Sequence, residues 1–204
     1  MRSARALGVR DRALMAERGG AVVGLDEVGR GSLAGPVVVC AARFVDIPDL
    51  PDVRDSKEVP RGRRSALAAA VREHATAWGL VEFWPEVIDR VNILQAVRSA
   101  MRSLIRVVAQ SGDVVICDAV KPFDEPASWD VRSPCKADRD YFSVAAASLV
   151  AKVSRDQTMA DLALGQPGWA WDRNSGYGTA EHRSLMIERG RSYLHRESFR
   201  VTGL

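Results

Sequence analysis

Two runs of small and β-branched residues, Ala21-Val22-Val23 and Val37-Val38-Val39-Cys40-Ala41-Ala42, stand on either side of Gly24-Leu25-Asp26-Glu27-Val28-Gly29-Arg30-Gly31-Ser32-Leu33-Ala34-Gly35-Pro36. Such residues suit a pleated, buried surface, and the glycines between them mark a turn. The pattern predicts buried strands near 21–27 and 36–45, paired antiparallel. Asp26 and Glu27 therefore fall where a buried strand meets a tight loop, a place where an ionised carboxylate is costly unless something positive compensates it. A solvated acidic turn at a sheet edge accounts for the pair. So does a divalent-cation site beside a loop whose backbone N–H groups hold a phosphate. The loop favours the second reading: Gly29 and Gly31 allow positive φ and close approach of a ligand, and between them Arg30 offers a planar fork suited to phosphate. Pro36 fixes the chain as it enters the next strand.

At 204 residues the chain fits one large domain, or a domain with a short appendage, and buries a sizeable core without staples. A formal charge of +3 suits a polyanionic partner without proving one. Cys40, Cys117 and Cys135 are odd in number and lack metal-ligand spacing, so free thiols in a reducing compartment are expected. No apolar run reaches membrane-spanning length and the amino terminus has no signal-peptide core, so a cytoplasmic protein without membrane contact is expected.

The stretch from Asp26 to Val37 resembles the signature of the ribonuclease HII family, with Val28 where that family usually has Ala and Ser32 where it usually has Pro. The resemblance implies an α/β, ribonuclease H-like fold. That fold is a mixed β-sheet flanked by helices, with a catalytic part over 1–165 and a small helical, substrate-contacting carboxyl-terminal part over 166–204. It continues at matching intervals down the chain, from about residue 20 to 200.

Residues 1–20 are expected to form a short helix, with Asp11 and Glu17 among the arginines marking a solvated surface. Arg54-Asp55-Ser56-Lys57 lies in a proline-punctuated loop over 46–60. Its residue types suit phosphate contact or a self-solvating turn equally. The family has an Asp-Ser-Lys triplet at this distance, which implies Ser56 and Lys57 as phosphate contacts. An alanine-rich helix over 61–77 and a strand over 78–84 follow. The apolar positions Val87, Val91, Leu94, Val97, Met101, Leu104 and Val108 predict one long helix over 86–110, with Arg98, Arg102 and Arg106 on a solvated face.

Asp118 ends a short strand over 113–118, where an acid serves as a cap or faces a ligand. The family places a catalytic Asp there, normally followed by Gly, whereas Ala119 follows here. Lys121 to Ser133 reads as an exposed loop anchored by Trp129. Asp138, Asp140 or Ser143 is placed to cap the helix that begins near 144, and in the family the Lys136-Ala137-Asp138 triplet carries the fourth catalytic acid. Lys152, Arg155 and Asp156 match the family's helix in structural or charge-balancing roles. After a loop over 164–175, Thr179 is expected to cap a final helix through Arg189. Tyr177, between glycines, is either a stacking platform or a core anchor; in the family this tyrosine packs on the nucleotide at the RNA–DNA junction. The tail around His195 and Arg196 is basic, and is read either as solvated or as approaching a duplex.

Asp26, Glu27, Asp118 and Asp138 are all oxygen donors, suited to Mg²⁺ or Mn²⁺ rather than zinc. Two such ions about 4 Å apart promote in-line phosphodiester hydrolysis. The resemblance implies a monomeric, metal-dependent endonuclease for RNA–DNA hybrids and for DNA duplexes containing ribonucleotides. Gly29, Arg30, Gly31 and Tyr177 would contact substrate, and the products would carry 3′-hydroxyl and 5′-phosphate ends. Consecutive strand residues point to opposite faces, so Asp26 and Glu27 share a site only if the strand twists or frays there. Two rivals stand beside this reading, a resolvase-type DNA nuclease on the same sheet and a non-catalytic hybrid-binding module.

Overall fold

The valine-rich runs pair as their composition predicts. β1 (Val22–Val28) and β2 (Val37–Phe44) are antiparallel, with Asp26 opposite Cys40 and Glu27 opposite Val39. The computed structural model describes residues 7–53, 59–124 and 128–203. β3 (Ala77–Phe83) adds antiparallel to β2, while β4 (Val114–Cys117) and β5 (Asp130–Arg132) add in parallel beyond β1. The resulting mixed sheet has the order β3-β2-β1-β4-β5. β5 lies inside the stretch expected to be an exposed loop over 121–133. Its three residues are too few for a period-two pattern, and pairing with β4 defines them as a strand.

Helices cover both faces. On one lies α5 (Phe142–Gly165), whose Ala145-Ala146-Ala147 run packs against Val22, Val38, Cys40 and Ala42, with α2 (Arg61–His74) beside it. The approach is very close: a Cβ on Gly24 would lie 2.1 Å from the Ser143 carbonyl carbon, so only glycine fits on β1 at that point. The other face carries α4 (Ile93–Val108), which buries Val97, Met101, Leu104 and Val108 against Val23, Leu25 and Val39.

The single helix expected over 86–110 is two. α3 (Pro85–Val91) stops at Asn92, which takes φ 67° and accepts a hydrogen bond from the Gln95 N–H through its own side chain, starting α4. Asn tolerates the left-handed half of the map better than most side chains do, and a periodicity count does not register it. Val91 and Leu94, expected on the apolar stripe, are consequently exposed.

Asp11, on α1 (Val9–Arg18), is fully buried rather than solvated. Its carboxylate accepts from the N–H groups of Phe142 at 2.7 Å and Ser143 at 3.2 Å, so α5 is capped from α1, a partner that was not expected. The tail is buried too: His195 and Arg196 are 1% and 0% exposed, against the expectation of a solvated or duplex-facing segment. Two short helices complete the carboxyl-terminal part. They are α6 (Trp171–Asn174), within the expected loop, and α7 (Ala180–Arg189), capped by the Thr179 hydroxyl as expected. Among the described residues, no helix is long and apolar enough to cross a membrane.

Candidate active site

Two strand ends, a 3₁₀ turn and one loop carry the candidate residues. β1 carries Asp26 and Glu27 side by side, and because the strand stays regular their side chains leave opposite faces of the sheet. Asp26 points toward α5, where Ser148 donates to its carboxylate, and Glu27 points toward the α4 face. What reunites them is β4. Its last register pair is Cys117 with Leu25, so the next residue, Asp118, comes level with the acids, its N–H donating to the Leu25 carbonyl at 3.2 Å. The Asp118 charge is felt by both Asp26 and Glu27.

The electrostatics are those of carboxylates short of positive charge. Burial pushes Asp26 well above the usual carboxylate range, with Glu27 and then Asp118 adding to the rise. Burial raises Glu27 to about 7; Arg30, which donates to Oε1 at 3.4 Å, opposes the rise and Asp118 adds to it. The second carboxylate oxygen, Glu27 Oε2, is buried and has no hydrogen-bond partner. A buried acceptor facing like charges is what a cation would satisfy, and an all-oxygen donor set fits a hard divalent ion. Among the described residues, no three His, Cys, Asp or Glu side chains are gathered closely enough to hold an ion as they stand.

Asp138 stands on a single 3₁₀ turn, Ala137–Arg139. The N–H of Ala137 donates to Asp118 Oδ1 at 2.8 Å, tying that turn to the end of β4. Ala119 takes φ 53°. That left-handed backbone is easier for glycine, which gives a physical reason for the glycine that the resemblance implies at this position.

The glycine loop is held from below by two buried arginines. Arg155, on α5, donates through Nε to the Pro36 carbonyl at 2.8 Å, and through its two terminal nitrogens to Ser175 O, Ser32 Oγ and Ala34 O. Arg196 donates to Gly35 O twice and to Arg30 O at 3.0 Å. Gly29 has φ +90°, and a Cβ there would lie 2.0 Å from Arg155 Nε, so the residue is bound to be glycine twice over. Gly31 differs from expectation: it is outside the left-handed region and faces open space. Arg30 is exposed at the loop's tip.

Tyr177 belongs to the same assembly. It bridges Ser32 in an isolated β-pair, and the Arg155 guanidinium stands 5.4 Å from its ring centroid. At 37% exposure the residue is partly open to solvent rather than buried as a core anchor. Ser56 and Lys57 lie outside the described residues. Sequence reasoning gave His182 no role and read His195 and Arg196 only as a solvated or duplex-approaching tail; a buried arginine or histidine leaves no periodic signal in a loop-rich segment.

The model of the family described as Ribonuclease HII matches residues 23–202. A Ribonuclease HII of Paramagnetospirillum magneticum is 44% identical over 194 residues, covering 93% of this chain and 94% of its own. Among solved structures, the PCNA:RNase HII complex from Archaeoglobus fulgidus gives a TM-score of 0.74 at 25% identity, covering 88% of this chain and 95% of that one. The Bst-RNase HIII crystallised in complex with Mn²⁺ gives 0.64 at 22% identity, covering 95% and 67%. The sheet and its flanking helices are thus a ribonuclease H-like fold.

Proposed function

The chain belongs to the ribonuclease HII family of metal-dependent endoribonucleases acting on RNA–DNA hybrids, and from that premise we propose that it also cuts 5′ to single ribonucleotides embedded in duplex DNA. The observation that carries the reading is the buried, unpartnered Glu27 Oε2 beside Asp26 and Asp118, immediately before a glycine loop with an exposed arginine. Asp26, Glu27, Asp118 and Asp138 would hold Mg²⁺ or Mn²⁺, and the Mn²⁺ complex of a structural relative supports the choice of a hard ion. When bound, such ions lower the pKa of water and stabilise the departing oxygen of an in-line displacement, leaving 3′-hydroxyl and 5′-phosphate ends.

The remaining work falls to this chain's own groups. Arg30 and the backbone of Gly29 and Gly31 would contact the phosphates around the cut, with Ser56 and Lys57 as further phosphate contacts. Donors or acceptors at fixed positions are needed to tell a 2′-hydroxyl from hydrogen, and a loop clamped by Arg155 and Arg196 has that rigidity. Tyr177 would pack its exposed face on the sugar at the junction. Residues 1–165 would form the catalytic part and 166–204 its substrate-contacting extension, acting as a cytoplasmic monomer.

The test uses duplexes that differ by one 2′-hydroxyl. With Mg²⁺ or Mn²⁺ the expected product is a single cut on the 5′ side of the ribonucleotide, and neither chelated samples nor all-DNA duplex should be cut. Equal cutting of all-DNA duplex would select the resolvase-type alternative, and tight binding without turnover the non-catalytic one. Asp26→Asn is expected to abolish cleavage while retaining most of the binding.

A further inference from the structure

Two buried histidines behind Tyr177 make a hydrogen-bonded chain whose proton positions are determined from both ends. Ser192 N–H, which can only donate, points at His195 Nδ1 at 2.9 Å, and the Ser192 hydroxyl, able to donate as well, lies at the same distance; the backbone N–H puts the proton of the neutral ring on Nε2. Trp171 Nε1–H, also a pure donor, points at His182 Nε2 at 3.3 Å, so the neutral His182 carries its proton on Nδ1. The two rings meet at 3.1 Å, Nε2 to Nε2, where His195 donates and His182 accepts, so the single lone pair of His182 Nε2 is shared between His195 and the longer Trp171 contact. The remaining proton, on His182 Nδ1, faces the Tyr177 carbonyl at 2.9 Å.

We propose that His182 and His195 are positioning residues that hold Tyr177 in its substrate-facing pose through this one-way chain, Ser192 to His195 to His182 to the Tyr177 carbonyl. The inference rests on the reading of Tyr177 as a substrate contact. Its physical content is rigidity. The tail bridges Ala34 through His195 and Tyr177 bridges Ser32, so the histidine pair closes a ring whose other side is the glycine loop. Each link runs in one direction only, and a charged ring at either position would set N–H against N–H or N–H against Trp171. Burial lowers both rings' hold on a proton, His195 to about 4 with His182 as the second cause. The Tyr177 backbone and then Glu181 oppose the shift at His182; at His195 the Ser192 backbone opposes it and Arg191 reinforces it.

The chain contains only three histidines, and the third, His74, is exposed. Imidazole nitrogen NMR on the full-length protein at pH 7.5 should therefore show His195 protonated on Nε2 and His182 on Nδ1. The opposite tautomers, or a charged ring, overturn the chain. Single-turnover-checked kinetics on a duplex with one ribonucleotide test its consequence. His182→Leu should raise KM about tenfold, the effect of one lost buried hydrogen bond, with kcat little changed. His182→Asn, whose amide nitrogen can reach where Nδ1 stood, should recover most of that loss. Tyr177→Ala separates the two ways of failing. If it raises KM while a folded His182→Leu does not, the positioning role is overturned alone. If Tyr177→Ala itself leaves KM unchanged, the substrate contact is wrong and the positioning role falls with it.

Discussion

Glu27 shows how one residue's cost in the fold and its use in the site are the same quantity. Its folded value of about 7 lies above the ordinary 4.5, so between these pH values the folded protein binds more protons than the unfolded chain. Stability contributed by the protonated form is therefore present at low pH and lost as pH rises through the window, by up to about 3 kcal/mol. Metal-free protein should show this decline in urea titrations at successive pH values, and Glu27→Gln should flatten it. Mg²⁺ should raise the melting temperature more at pH 8 than at pH 5, because it replaces the proton. Ala119 is the second residue with a stated cost. Left-handed backbone at φ 53° disfavours any Cβ, so Ala119→Gly should stabilise the protein by about 0.5–1 kcal/mol, read as a shift in urea midpoint with unchanged slope.

At the scale of elements, the start of α5 is the joint that matters, since it brings the 3₁₀ turn of Asp138 up to the end of β4. Its first N–H groups are satisfied by Asp11 from α1, across a sequence separation of 131 residues. Burial raises the Asp11 carboxyl against the pull of those donors, so the cap spends part of its own benefit on desolvation. Asp11→Ala leaves the two N–H groups without that acceptor and should cost about 2 kcal/mol in chemical denaturation, only partly recovered by Asp11→Asn, whose single carbonyl oxygen replaces one of the two acceptors. β2 has a comparable device at its far end. Buried Arg43 is paired with Asp113 through two contacts, Nε to Oδ2 at 2.7 Å and Nη2 to Oδ1 at 3.0 Å, fastening β2 to the base of β4 across β1.

For the molecule as a whole, two arginines from late in the chain converge beneath one loop from early in it. Arg155 from α5 and Arg196 from the tail spend their donors on the carbonyls of residues 30 to 36 and on Ser32 and Ser175. Among the described residues, neither has a carboxylate within ion-pair distance. Arg196→Met would leave the Gly35 and Arg30 carbonyls short of partners and should cost about 3 kcal/mol, with faster hydrogen exchange confined to the glycine loop before it spreads. Arg155→Lys keeps the charge but not the fork, so it should weaken the protein by about 2 kcal/mol and raise KM more than it lowers kcat.

Local chemistry was enough to determine the valine strands and their antiparallel pairing, the glycine loop, the Thr179 cap and the position of each acid relative to its own strand or helix. These follow from side-chain shape and backbone freedom within a few residues. The resemblance to a family supplied the grouping of acids from positions 26, 27, 118 and 138, which no local rule could. Only the tertiary structure decided the rest: that Asp11 caps a helix far along the chain, that Asn92 breaks an otherwise continuous apolar stripe, and that Arg196 and His195 lie inside. A buried polar group takes its meaning from the partner that satisfies it, and that partner lies across the fold, so no window of neighbouring residues contains the information.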